Sequence, residues 1–137
     1  MKKIDFIQDL NVSRETINSF CEYEALLSKW NKKINLVSPN TLADLWVRHF
    51  LDSGQIINHV DASGKKWIDI GTGAGFPGLV VALLLRDRKI DCDIILVEKS
   101  LKKVFFLKTQ RIHSVNQWFH LLLFLLSIVL SLCNLNN

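Results

Sequence analysis

The sequence predicts an α/β protein in which one βαβ half of a parallel sheet follows an N-terminal helical extension. Three observations carry that prediction. Trp67-Ile68-Asp69-Ile70 is an apolar run with one acid that stops at a glycine-dense stretch, Gly71-Thr72-Gly73-Ala74-Gly75-Phe76-Pro77-Gly78. The apolar stretch Leu79 to Leu85 follows, and then Asp93-Ile94-Ile95-Leu96-Val97-Glu98, a β-branched run closed by an acid. Ahead of both, Ile17, Phe20, Tyr23, Leu27 and Trp30 recur at steps of three and four, the stripe of an amphipathic helix. Strand, glycine turn, helix and strand is the order of a partial Rossmann-like fold, with a right-handed crossover.

Ser13 is a candidate N-cap for the first helix, which ends near Lys29-Trp30-Asn31-Lys32-Lys33. Ile34 to Asn40 is no helix interior, because Ser38 precedes Pro39 and the α conformation is disfavoured there. Thr41 is expected to cap a second helix, with Asp44 at capping-box spacing, running through Leu42, Leu45, Trp46 and Phe50 to about Gly54. Ile56-Ile57 forms a further turn, and Asp61-Ala62-Ser63-Gly64 is the linker to the first strand, about Lys66 to Ile70. The next helix is expected from Pro77, a residue suited to the first helical position, to Arg86. Asp87-Arg88-Lys89 turns the chain into the second strand. Ser100 is expected to cap a last helix with Leu101, Val104, Phe105 and Leu107 on its inner side. The regions are therefore 1–60, a helical cap; 61–109, a Rossmann-like region; and 110–137, a tail.

With 137 residues and 49% hydrophobic content, one core is expected. The net charge of +4, from 17 basic and 13 acidic residues, suits an RNA or phosphate partner and equally suits ordinary solubility. Cys21, Cys92 and Cys133 are odd in number and widely spaced, which argues against a disulfide framework or a zinc site. His49, His59, His113 and His120 show no metal-ligand spacing, so no metal is expected. Two lysines open the chain without an apolar run behind them, so no signal peptide is expected and the protein reads as cytoplasmic, with reduced cysteines.

The glycine loop carries the chemistry. Glycines at a strand-to-helix turn let backbone N–H groups approach a ligand closely. Gly73-x-Gly75-x-x-Gly78 matches the dinucleotide pattern, with Glu98 twenty residues on, where a ribose-binding acid belongs. An NAD(P)-dependent oxidoreductase is thus one alternative. Against it, the turn begins earlier, at Gly71; Phe76 and Pro77 are bulky where a pyrophosphate would sit; and Asp69 would repel phosphate. S-adenosylmethionine has no phosphate and carries cationic groups that a carboxylate attracts. Asp69, Gly71, Gly73, Gly75 and Phe76, followed by Glu98 to bind the ribose hydroxyls, form a class I methyltransferase signature.

Four segments resemble the RsmG family, also called GidB. Lys29-Trp30-Asn31-Lys32-Lys33-Ile34-Asn35-Leu36-Val37-Ser38 is similar to its KWNKxxNLT/S element, and Arg48-His49-Phe50-Leu51-Asp52-Ser53 to its RHxLDS element. Asp69 to Gly78 resembles its DxGTGxGxPG element, and Val97 to Leu107 its D/ESxxKKxxFL element. The resemblance covers about Leu10 to Thr109. It implies methyl transfer from S-adenosylmethionine to N7 of a guanine in 16S rRNA, on the small ribosomal subunit, by a protein expected to be a monomer. It also implies cofactor contacts at Gly71 and Phe76 and an acid at Glu98. Because N7 holds a free in-plane lone pair, no general base is required and no catalytic side chain is assigned; catalysis is positioning. Lys29, Lys32, Lys33 and Arg48 are candidates for rRNA phosphate contact, with His49 beside them and Lys102, Lys103 and Lys108 as a second group. Trp30 and Trp46 fit core packing better than base stacking.

Beyond Thr109 the resemblance stops. No charged residue follows Arg111, and Trp118 to Cys133 is almost wholly apolar. The expectation is a truncated or frameshifted chain that lacks the family's next strand and later pocket walls. The tail is expected either to cover the exposed sheet face as a helix or to leave a product that misfolds; membrane insertion is the lesser alternative, since Trp118 to Cys133 is short of the roughly 20 residues that span a bilayer. Turnover would then be weak or absent, and a non-catalytic remnant is the second reading of function.

Overall fold

A computed structural model of the protein describes residues 2–110 and 119–123. It is an α/β structure with a parallel sheet behind a helical N-terminal region, and the two share one hydrophobic core.

The helical region is built on aromatic packing. Helix α1, Lys2–Leu10, lays Phe6 edge-on against Phe20 of α2, Arg14–Asn31, at 4.8 Å between ring centres. Trp46 and Phe50 close the cluster, at 5.3 and 6.3 Å from Phe6. Phe6 and Leu10 are the buried residues of α1, and Ile7 packs partly against the same core. Ser13 caps α2 as expected: its Oγ accepts the Thr16 N–H at 3.3 Å, and its hydroxyl donates to Asp87.

The second predicted helix differs. Ser38, not Thr41, is the cap of a short α3, Pro39–Leu42, and accepts the Thr41 N–H at 3.2 Å. Proline, with its preset φ and no N–H, starts the helix three residues earlier than the Thr41 cap would. The continuation is a π-helical segment, Trp46–Leu51, followed by α4, Asp52–Gly54, and a 3₁₀ turn, Gln55–Asn58. The wider π turn brings Trp46, Phe50 and Leu51 all into the core. Gly54 passes so close to α1 that an added Cβ would stand 2.6 Å from Leu10 Cδ1.

Strand β1, Lys65–Ile70, pairs in parallel with β2, Cys92–Glu98, from Lys65↔Cys92 to Ile70↔Val97. Helix α5, Gly78–Asp87, connects them. Every residue from Gly78 to Leu85 is buried, so α5 is a core helix with protein on all sides. Helix α6, Leu101–Thr109, follows β2 and corrects the sequence reading: Val104, Phe106 and Leu107 face inward, whereas Leu101 and Phe105 face out. The apolar residues of α6 exceed what one stripe holds, and Phe106 takes the inner position against Trp30.

A third strand, β3, Phe119–Leu123, pairs in parallel with the other edge of β2, from Ile94↔Phe119 to Glu98↔Leu123. The sheet order is β1-β2-β3. This corrects the expectation that no further strand follows Thr109. An apolar run of this kind suits a strand flanking β2 as well as it suits a helix, and periodicity alone does not separate them. The remainder of the expected covering helix, from 124 onward, lies outside the described residues. Among the described residues, no helix is long and apolar enough to cross a membrane.

Candidate cofactor site

The site forms where β1 ends. Gly71, Gly73 and Gly75 take φ of +77, +60 and +102°, conformations that glycine adopts without a Cβ penalty. The loop is anchored to β2, since the N–H groups of Gly71 and Thr72 both donate to Val97 O, at 2.8 and 3.1 Å. The glycines divide by role. A Cβ on Gly71 or Gly73 would meet nothing within 4 Å. A Cβ on Gly75 would lie 2.5 Å from Tyr23 Oη, and one on Gly78 would lie 2.2 Å from Leu96 Cδ2. Gly75 and Gly78 therefore serve packing, and Gly71 and Gly73 line open space.

Glu98, at the end of β2, is only 6% exposed and holds the floor of that space. Its Oε2 accepts the Gly73 N–H at 2.8 Å and its Oε1 the Ser100 N–H at 2.9 Å, so the carboxylate joins the two loops. Each oxygen retains a lone pair for a further donor. A cleft of about 360 Å³ opens here, lined by Ile70, Gly71, Val97, Glu98, Lys99 and Lys103.

Asp69 turns the other way. It is buried, and its Oδ2 accepts the Gly78 N–H at 2.9 Å, which satisfies the first donor of α5. Beneath the loop, the Tyr23 hydroxyl donates to Ala74 O. Burial, with the Asp69 charge second, raises the Tyr23 phenol well above its usual range, so it stays a neutral donor. Phe76 lies between two rings, stacked on Tyr23 at 5.6 Å and on His49 at 4.7 Å. Burial lowers the His49 pKa against the opposing pull of Asp52, which favours a neutral imidazole. Two side-chain atoms beside the loop, His49 Nε2 and Thr72 Oγ1, are buried without a hydrogen-bond partner.

Of the residues expected from sequence, Gly71 and Glu98 line the cleft, and Gly73 joins them through its N–H bond to Glu98. Gly75, Phe76 and Asp69 form its support, and His49 reaches the support through Phe76. Lys29, Lys32, Lys33 and Arg48 are exposed and do not line the cleft. Trp46 is buried in the aromatic cluster and Trp30 packs edge-on against Phe106 at 5.9 Å, as core residues do. Tyr23 and Thr72 join the support of the loop, Tyr23 without a motif to mark it in the sequence. Tyr23 sits on the helical stripe, and its hydroxyl is the one mark that separates it from a plain core aromatic. Among the described residues, no group of His, Cys, Asp or Glu is placed to hold a metal ion.

The family model for GidB, described as rRNA small subunit methyltransferase G, matches residues 16–118. The chain belongs to this family. The match runs past Thr109, where the sequence resemblance was expected to stop, and includes every residue that lines the cleft. The chain is similar to the ribosomal RNA small subunit methyltransferase G of Parvibaculum lavamentivorans, at 52% identity over 72% of this chain and 43% of the relative. It is 50% identical to the protein of that name from Brucella canis, over 74% of this chain and 47% of the relative. For Cereibacter sphaeroides the identity is 39%, over 80% of this chain and 53% of the relative. The chain thus spans about half the length of the GidB relatives it matches.

Proposed function

We propose that this chain is the cofactor-binding part of an S-adenosylmethionine-dependent methyltransferase acting on N7 of a guanine in small-subunit rRNA, in the cytoplasm. The observation that carries the reading is the pairing of Gly71 and Gly73, whose missing Cβ atoms leave a cradle, with Glu98 on the facing strand end. The remaining lone pairs of Glu98 suit two ribose hydroxyls. Asp69 favours this cofactor over a dinucleotide. In a dinucleotide site the helix N-terminus receives a pyrophosphate, but here the Asp69 carboxylate already holds the Gly78 N–H and places negative charge at the same point.

When bound, S-adenosylmethionine supplies an electrophilic methyl group on a sulfonium. The residues of this chain bind and orient. Glu98 fixes the ribose, the backbone of Gly71 and Gly73 gives close approach, and the Tyr23-Phe76-His49 stack holds the loop against α2 and the π-helical segment. The guanine N7 lone pair needs no deprotonation, so alignment supplies the rate. Transfer of labelled methyl from S-adenosylmethionine to small ribosomal subunits that lack the modification tests the proposal. Cofactor binding with at most weak incorporation, confined to N7 of guanine, is expected from a chain spanning about half its relatives; incorporation at another position would contradict the reading, and none above background would leave a non-catalytic binder.

A further inference from the structure

The outer face of α6 forms a second surface. Leu101 and Phe105, four residues apart on one helix face, are 58 and 62% exposed. Lys102 and Lys108 are exposed on the same helix, Lys99 precedes it, and no acid lies between Leu101 and Thr109. The basic end of α2 adjoins this face. Lys29, in the last turn of α2, shares a cleft with Gln110 and with Thr109, which follows Phe105 by four residues; Glu22 is the one acid in that cleft. Lysines alone suit any polyanion. A phenyl ring standing free among them suits one with flat apolar faces to offer, which is an unpaired nucleobase.

We infer that Phe105, beside Leu101 and flanked by Lys102 and Lys108, is a stacking platform for an unpaired base of RNA whose phosphates run toward Lys29. The inference rests on the rRNA reading above and adds a docking surface outside the cofactor cleft. It favours single-stranded or loop RNA, because duplex RNA presents no unstacked base.

The test is fluorescence anisotropy of the full chain with a labelled single-stranded RNA and with the same sequence as a duplex. Polyglutamate serves as competitor, and S-adenosylmethionine binding is measured in parallel. Phe105→Ala is expected to weaken single-strand binding by about tenfold or more while leaving duplex and cofactor binding unchanged; Phe105→Trp is expected to retain it. Lys102→Ala with Lys108→Ala is expected to reduce the log–log salt slope by about 1.4. Equal single-strand binding by Phe105→Ala and wild type would overturn the platform and leave the methyltransferase reading standing. Polyglutamate binding that is equally sensitive to Phe105→Ala would assign the face to an acidic protein instead. A wild-type chain that binds cofactor but no RNA would overturn both the platform and the rRNA substrate.

Discussion

Single glycines in the loop make opposite demands, and substitution separates them. Gly78→Ala drives a methyl group into Leu96 and Asp69. It is expected to lower unfolding free energy by about 1–3 kcal/mol in urea, as overpacking does. Gly73→Ala meets no atom but takes a left-handed conformation, costing about 1–2 kcal/mol. It also fills the cradle, so cofactor affinity should fall by more than stability does. His49 gives a pH signature. Its folded pKa lies below the unfolded value of about 6.5, so stability is full above that pH and is lost as pH falls through the lowered folded pKa. His49→Phe, which keeps the stack on Phe76, should flatten that part of the stability profile; an unchanged profile would assign it to another group. Glu98 and the two glycines that line open space, Gly71 and Gly73, were legible in the sequence because motif spacing fixes them. The packing roles of Gly75 and Gly78 were not, since they depend on Tyr23 and Leu96, which are remote in sequence.

The elements differ in how far local sequence decides them. Helix α2 was legible from its cap and stripe, and β1, α5 and β2 from composition alone. The π-helical segment was not, because an α-helical pattern through Leu45, Trp46 and Phe50 is satisfied until Leu51 must also bury. The inner side of α6 was misplaced for a related reason, since a helix with apolar residues on several sides is oriented by its neighbours. Ser13 joins two elements, as the cap of α2 and a donor to Asp87 at the end of α5. Burial pushes the Asp87 carboxyl up, but hydrogen bonds from Ser13 and Thr16 and the Arg86 charge outweigh it, leaving the pKa lowered. That contribution to stability is present above about pH 4 and is lost as pH falls through the lowered folded pKa. Ser13→Ala should cost about 1 kcal/mol at neutral pH, and its difference from wild type should shrink in acid. A difference independent of pH would show the cap alone at work.

At the scale of the molecule, the sheet is centred on β2, with β1 and β3 on its two edges. Amides in the middle of β2 should therefore exchange with deuterium more slowly than those on the outer edge of β1, where Ile68 and Ile70 stand 55 and 69% exposed. Uniform protection of both strands would mean that something covers β1. The βαβ half was legible because its loop, strands and core helix are each marked locally. The third strand was not, because charge-free sequence after Arg111 gives no turn signal to delimit it. The proposed occupant of this loop is a phosphate-free, cation-bearing cofactor. Isothermal titration of the chain with S-adenosylmethionine, S-adenosylhomocysteine and NAD tests it most directly. The first two should bind, and Glu98→Ala should weaken both by about 10- to 100-fold, as loss of charged hydrogen bonds implies. Binding of NAD in their place, or S-adenosylmethionine binding indifferent to Glu98, would contradict it.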